Sequence, residues 1–168
     1  MRLPLLTRRL HRWGAVLVGI PFLLVVVSGL LLQVKKQVAW VQPPEQRTPA
    51  RAPAVSWDVV LTAAKAMPEA GVRSWDDIER IDVRPAKGIL KVVSRSRWEA
   101  QLAIADGRVL QVAYRRSDLI EQWHDGSFFG DAAKRWIFLP AGVVVLGLWL
   151  TGAYLWWLPR LVRRRRQA

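Results

Sequence analysis

Two long stretches without a charged residue lie near the two ends of the sequence. The first covers residues 13–34 and the second covers residues 136–159. A helix needs about 20 apolar residues to cross the hydrocarbon core of a bilayer, because each residue adds about 1.5 Å. Both stretches are long enough, so the pattern predicts transmembrane helices at 13–34 and 136–158.

The alternative for the first stretch is a cleaved signal peptide, since Arg8 and Arg9 precede it. The apolar region of a signal peptide is about 7–15 residues long, and this stretch is longer. Ala52-Pro53-Ala54 resembles a cleavage site, but it lies about 20 residues too late for one. The lengths therefore favour an uncleaved membrane anchor.

Between the two stretches, the pattern changes to that of a small folded module. Residues 35–55 contain four prolines and predict an extended, Pro-rich linker. Ser56 is placed to cap a helix whose apolar residues recur at helical spacing as far as Met67. The module is predicted to cover residues 56–116, and residues 117–135 form a juxtamembrane segment.

Four short strands follow the helix of this module, and they are predicted over residues 78–85, 89–93, 98–104 and 109–114. In the third, apolar and polar residues alternate, as is typical of a half-buried strand. Asp106-Gly107 then predicts a hairpin turn into the fourth. The predicted fold is a membrane α+β fold, in which two transmembrane helices flank a helix and an antiparallel sheet.

The formal net charge of +13 is concentrated at the ends of the chain. The tails 1–12 and 159–168 hold nine basic residues and no acid, whereas residues 35–135 hold 17 basic and 13 acidic residues. Basic tails stay on the cytoplasmic side, so we expect both termini inside and residues 35–135 outside. The Arg-rich tail should also contact anionic lipid. Because the excess charge is not on the module, nucleic-acid binding is excluded.

The sequence contains no cysteine and only two histidines, His11 and His124. Disulfides, thiolate metal sites and covalently attached haem are therefore excluded. The module shows no Ser/His/Asp set, no phosphate-binding loop and no His/acid metal spacing, which indicates a sensor, support or binding role. Any metal or cofactor chemistry depends on the two histidines, although an ordinary place at the membrane border remains open for both.

The predicted helices place the two histidines on opposite sides of the membrane. A helix of 22 residues is about 33 Å long, so His11 and His124 cannot share one iron. If haem is bound, a two-fold dimer supplies each histidine with its own copy as the second axial ligand. Gly147 and Thr151 are small residues one helical turn apart that would allow close helix contact in such a dimer.

Four motifs carry a resemblance to a known family. They are R-R-L-H-R-W-G at 8–14, S-G-L-L-L at 28–32, W-H-D-G-S-F-F-G at 123–130 and L-T-G-A-Y-L-W-W-L-P at 150–159. With these motifs the chain resembles the PepSY-associated transmembrane proteins of bacterial inner membranes. The module between them is similar to a PepSY domain, and the resemblance covers almost the whole chain.

The resemblance implies a cofactor and a function. Larger relatives have about four spans, bind b-type haem through membrane histidines and include reductases of ferric siderophores. It therefore implies haem b with His11 and His124 as ligands of the haem iron, and Arg8, Arg9 and Arg12 as partners of the haem propionates. It also implies electron transfer across the bacterial inner membrane to ferric siderophore iron, as an oxidoreductase or an electron-transfer subunit. With two spans, the chain is expected to act as a homodimer or with a larger membrane partner.

Two other classes of function remain open. In one, the PepSY-like module is a non-catalytic domain that binds or inhibits an envelope protease, and the spans are anchors. In the other, the chain is an accessory subunit that assembles or stabilises a membrane transporter or oxidase.

Overall fold

The structure is a computed structural model that describes residues 3–50 and 52–167, with the side chains of 4–50 and 52–159. The predicted lipid contact of the Arg-rich tail falls outside these side chains. The chain forms two compact units. One consists of Met1–Leu30 with Glu121–Ala168, and the other is Leu31–Ile120.

The first unit contains the two long helices. Helix α1 is Leu3–Gln33 and helix α5 is Leu139–Gln167. Both have the length and composition of membrane spans, with mean hydropathy of 2.8 and 1.9 over their most apolar windows. Only 11% and 6% of those windows are buried within the protein, whereas the core helix of a soluble protein is mostly buried. Two candidate membrane spans, Pro4–Gln33 and Asp131–Pro159, are therefore present, one on each side of the module in the sequence.

Short elements connect the module to the second long helix. Helix α3 is Arg116–Asp125, and helix α4 is the single turn Asp131–Ala133. A π-helical turn, Lys134–Phe138, follows directly and leads into α5. Turns of this kind often occur beside functional sites, because they change the direction in which side chains project.

The second unit contains a helix and a four-stranded sheet. Helix α2 is Trp57–Lys65, and its first turn is capped by Ser56, whose side chain accepts a hydrogen bond from the Val59 amide. The strands are β1 (Ile78–Arg84), β2 (Ile89–Ser94), β3 (Trp98–Ala103) and β4 (Val109–Tyr114). They pair antiparallel in the order β1-β2-β3-β4. The predicted membrane α+β fold is confirmed.

One face of the sheet forms the hydrophobic core together with α2 and the turn that follows it. Alternate residues of the two central strands point to this face, as the period of two in a strand requires. The buried core consists of Val60, Ala64, Met67, Ala70, Val72, Leu90, Val92, Ala100 and Leu102.

The other face of the sheet is polar and nevertheless buried, so the expectation that β3 is half-buried is wrong. Glu99 is 1% exposed and Gln101 is 0% exposed. The cover comes from residues 41–50, which we call the strap. The strap amide of Gln46 donates to the Gln101 side chain at 2.8 Å, and the amide of Thr48 donates to the Lys87 carbonyl at 2.9 Å.

The charges beneath this cover are paired. Glu99 accepts from the Arg115 guanidinium at 2.6 Å and lies 3.6 Å from the Lys91 ammonium. Lys91 also contacts Glu45 of the strap at 2.9 Å, and Arg115 contacts Asp118 of α3 at 2.8 Å. Burial lowers the pKa of Lys91, because desolvation disfavours its charged form more than Glu99 supports it. A charged layer therefore joins the strap, the sheet and the start of α3.

Candidate functional site

The first candidate site lies where the start of α1 meets α5. His11 is half-buried there, and its Nδ1 atom lies 2.9 Å from the Thr151 hydroxyl oxygen. The same hydroxyl lies 2.8 Å from the carbonyl oxygen of Gly147, one turn earlier on α5. Thr151 therefore links the histidine of one helix to the backbone of the other.

The second candidate site has the same construction at the other end of α1. The Nδ1 atom of His124, on α3, lies 3.1 Å from the Ser28 hydroxyl oxygen and 3.1 Å from the Val25 carbonyl oxygen. Ser28 in turn donates to the Leu24 carbonyl at 2.5 Å. In each site, a ring nitrogen is thus held by a hydroxyl on a facing long helix.

A glycine follows each of these hydroxyl residues and makes room for the ring. A Cβ atom added to Gly29 would lie 3.3 Å from Cε1 of His124, and one added to Gly152 would lie 3.4 Å from Cε1 of His11. These separations are tighter than most real contacts of a Cβ atom. Ser28-Gly29 and Thr151-Gly152 are therefore two copies of one local arrangement.

The chain around His124 is fixed by its neighbours in sequence. Asp125 accepts a hydrogen bond from the Ser127 amide at 2.9 Å and forms an ion pair with Lys134. Burial raises the pKa of Asp125, but the hydrogen bonds from Lys134 and Ser127 lower it by more, to about 2. Gly126 has a φ of +80°, and an added Cβ would lie 2.3 Å from the Phe138 ring. Only glycine fits this turn, which ends α3 directly after the histidine.

An apolar cavity lies beside the His124 site. It has a volume of about 440 Å³ and is lined by His124 and by Pro21, Phe22, Val25, Phe138 and Leu139, with Asp125 and Lys134 also in its wall. This volume is within the range of small-molecule and cofactor sites. Near the His11 site, Gly152 contributes to a shallow, open depression on α5 together with Leu148, Trp149, Ala153 and Trp156.

The donor set fits haem better than a bare metal ion. Within residues 3–50 and 52–167, no three His, Cys, Asp or Glu side chains come together. Haem iron needs only axial ligands from the protein. Over the same residues, the hydrogen bonds of His11 and His124 all involve Nδ1, so Nε2 is left for such a role. A single chain therefore supplies one imidazole to each site.

The three arginines predicted near the haem propionates lie on α1 within one turn of His11. Arg8, Arg9 and Arg12 are all exposed. Their pairing with propionates stays a prediction.

The two hydroxyl–glycine pairs, Ser28-Gly29 and Thr151-Gly152, were not connected to the histidines from the sequence alone. Their repetition is visible in the sequence, because a hydroxyl residue followed by glycine occurs in both apolar stretches, at 28–29 and 151–152. The buried partners Lys91 and Arg115 of Glu99 were also missed. A signal for them was present in the sequence, because Lys91 on β2 and Arg115 directly after β4 carry a charge opposite to that of Glu99 on β3.

The fold and the histidine sites define a class of membrane protein, in which two candidate spans flank a small α+β module and a histidine is held at each end of the helix pair. The sequence matches the family described as the PepSY-associated TM region over residues 8–168, and the chain belongs to this family. The membership expected from the motifs is thus confirmed. No curated protein and no solved structure matches the chain.

Proposed function

We propose that this PepSY-associated membrane protein binds haem b at two sites and supports electron transfer across the bacterial inner membrane. His11 would hold the haem at one site, and His124 would hold it at the other. The electrons would serve to reduce ferric iron held by a siderophore. Haem supplies the one-electron chemistry when bound, and the protein holds and orients it.

The observation that carries this proposal is the duplicated arrangement of the two rings. Each imidazole is held through Nδ1 by a hydroxyl and lies against a glycine, and within the part of the chain that the structure describes its Nε2 makes no hydrogen bond. Histidines that bind metals commonly use one ring nitrogen as the ligand while the other is fixed by a hydrogen bond.

The two sites are too far apart to share an iron. Their anchor points on α1, His11 and Ser28, are 17 residues apart, which corresponds to about 25 Å along a helix. In the proposed homodimer, each site is completed by the same histidine of a second copy, with a larger membrane partner as the other source. Two-fold pairing brings equal residues together and therefore suits a site that needs two equal ligands.

The proposed orientation follows from the basic tails. With both termini in the cytoplasm, the site of His11 is at the inner side of the membrane and that of His124 is at the outer side. Arg8, Arg9 and Arg12 then pair with haem propionates at the inner side. Residues 35–135 are periplasmic, where a ferric siderophore would be met.

The test is the visible spectrum of the full chain, expressed with ample haem and purified in detergent. We expect a sharp Soret band that shifts on reduction with dithionite. His11→Ala and His124→Ala should each remove about half of the haem, and the double variant should remove all of it. Glu69→Ala, an exposed substitution in the module, is the control and should keep the full amount.

Two results would contradict the proposal. Absence of a Soret band would favour a binding module, a protease inhibitor or an accessory subunit instead. Full haem content in both single variants would show that the histidines are not the ligands.

A further inference from the structure

We infer that Thr151 is a positioning residue that fixes the tautomer of His11, and that the Val25 carbonyl, together with Ser28, fixes the tautomer of His124, in both cases with the ring hydrogen on Nδ1 and the lone pair on Nε2. The use of that lone pair for haem rests on the proposed function. The tautomer itself is a property of the chain without any cofactor, so it can be tested separately.

The hydroxyl of Thr151 has a single hydrogen to donate. The oxygen lies 2.8 Å from the carbonyl oxygen of Gly147 and 3.1 Å from that of Leu148. Carbonyl oxygens only accept hydrogen bonds, so the hydroxyl hydrogen is directed to the backbone of its own helix, as is common for threonine within helices. The hydroxyl oxygen is then left as an acceptor, and Nδ1 of His11 at 2.9 Å must donate to it.

The Ser28 hydroxyl also donates to the backbone of its own helix, and His124 makes one additional contact. The hydroxyl lies 2.5 Å from the Leu24 carbonyl oxygen and 3.2 Å from that of Val25, so it also accepts from His124. In addition, Nδ1 of His124 lies 3.1 Å from the Val25 carbonyl oxygen itself. Because a carbonyl cannot donate, this contact alone requires a hydrogen on Nδ1.

The two histidines therefore differ in how firmly the tautomer is held. Nδ1 of His124 has two acceptors, the Ser28 hydroxyl and the Val25 carbonyl. For Nδ1 of His11, the structure describes one acceptor, the Thr151 hydroxyl. Neutral histidine in water carries its hydrogen mainly on Nε2. Without Thr151, the hydrogen of His11 should return to that nitrogen, and the lone pair should move to Nδ1, which faces α5. Loss of Ser28 should leave His124 unchanged.

The experiment uses the haem-free full chain in detergent, with the histidine rings labelled with ¹⁵N. In mildly alkaline buffer, two-bond ¹H–¹⁵N correlations show which ring nitrogen carries the hydrogen. The chain has only two histidines, so His124→Gln assigns the spectrum. We expect the Nδ1–H form for both rings of the unchanged protein.

The variants separate the two sites. Thr151→Val keeps the shape of the side chain without the hydroxyl and should convert His11 to the Nε2–H form, while Thr151→Ser should retain Nδ1–H. Ser28→Ala should leave His124 as Nδ1–H, because the Val25 carbonyl still accepts. After reconstitution, Thr151→Val should bind haem at the His11 site about 10-fold more weakly or worse, the usual effect of removing such a partner.

The inference is overturned if His11 of the unchanged chain is Nε2–H, or if Thr151→Val leaves it Nδ1–H. If Thr151→Val does not fold, the spectra of the unchanged chain and Thr151→Ser still decide the outcome. A protein without a Soret band but with both rings Nδ1–H would contradict the haem proposal alone. A haem-binding chain whose haem-free His11 is Nε2–H would contradict this inference alone.

Discussion

The Nδ1 atom of His11 lies 2.9 Å from the hydroxyl oxygen of Thr151, although 140 positions separate the two residues in the chain. His124 and Ser28, which are 96 positions apart, make the corresponding contact at 3.1 Å. The two contacts lie at opposite ends of α1. Sliding the long helices past each other by one turn, about 5.4 Å, would break the first of them and misalign its glycine. The helix register and the histidine geometry are therefore coupled.

Gly152→Ala is expected to weaken haem binding at the His11 site. The added Cβ would lie 3.4 Å from Cε1 of His11, so the ring must move by a few tenths of an ångström, and Nε2 moves with it. Changes that disturb the orientation of a ligand typically cost about 10-fold in affinity. Titration of the haem-free protein with haemin, followed at the Soret band, measures the change.

Gly19→Ala is the matched control for this experiment. It adds the same methyl group to the other long helix, where nothing lies within 4 Å of the new Cβ. Its haem affinity should equal that of the unchanged chain. An equal loss in both variants would attribute the effect to an added methyl group in a long helix and not to the ring.

Asp125 should make the stability of the protein sensitive to acid. Its pKa is about 2 in the folded chain, against an ordinary value of 3.8. A carboxyl group with a lowered pKa adds stability above its ordinary pKa, and this contribution is lost as the pH falls toward the folded value. The stability difference between the unchanged chain and Asp125→Asn should therefore be constant above a pH of about 5 and shrink between about 4 and 2.

Thermal unfolding in detergent at a series of pH values measures this difference. Asp131→Asn changes the same charge in the same stretch of chain and serves as the control. A difference between Asp125→Asn and the unchanged chain that does not depend on pH would contradict the role given to the ion pair with Lys134.

Glu99→Gln is expected to destabilise the module strongly. It leaves the buried Arg115 and Lys91 with one carboxylate partner fewer each. Removing one partner from a buried ion pair costs up to about 3–5 kcal/mol, because the remaining charge is desolvated with less compensation. Urea unfolding of the full chain, followed by the circular dichroism of the sheet, should show a loss of this size. Glu69→Gln, at an exposed position, should stay within about 0.5 kcal/mol.

Two glycines with the same backbone conformation test the contact between strap and sheet. Gly71 and Gly88 have φ values of +64° and +68°. An added Cβ at Gly71 meets nothing within 4 Å, whereas at Gly88 it would lie 2.3 Å from the carbonyl oxygen of Ala50 and 2.3 Å from the hydroxyl oxygen of Thr48. Both alanine variants bear the cost of a left-handed residue, about 1 kcal/mol.

Only Gly88→Ala must also displace the strap. We therefore expect it to be clearly less stable than Gly71→Ala in urea unfolding, with faster amide exchange at Thr48, whose amide bonds to Lys87. Equal stabilities of Gly88→Ala and Gly71→Ala would mean that the strap can be displaced without a loss of stability.

Much of the fold follows from local patterns. The spans are visible as uncharged stretches, because the bilayer admits few charges over about 20 residues. Ser56 marks the start of α2 because its hydroxyl can satisfy a free amide of the first turn. The strands and their antiparallel order follow from short connections such as Asp106-Gly107. The end of α2 was placed at Met67 and lies at Lys65, followed by a short turn.

The parts that could not be predicted depend on long-range packing. The alternation of β3 shows that Glu99 and Gln101 share a face, but it does not show that the strap and α3 cover that face. Likewise, His11 and Thr151 are each visible in the sequence, but their contact depends on which faces of two helices meet. Neither helix has a strong polar side that would fix this rotation.

One backbone hydrogen bond brings the two ends of the module close together. The carbonyl of Val41, at the start of the strap, accepts a hydrogen bond from the amide of Ser117, in the first turn of α3, at 2.8 Å. The points where the chain enters and leaves the sheet region are therefore neighbours. The two ends of residues 41–117 could therefore be joined by a short peptide. New termini could then be opened at the exposed turn of Arg95 and Ser96. Such a circular permutant should keep the strap, the sheet and the ion pairs of Glu99 with Lys91 and Arg115.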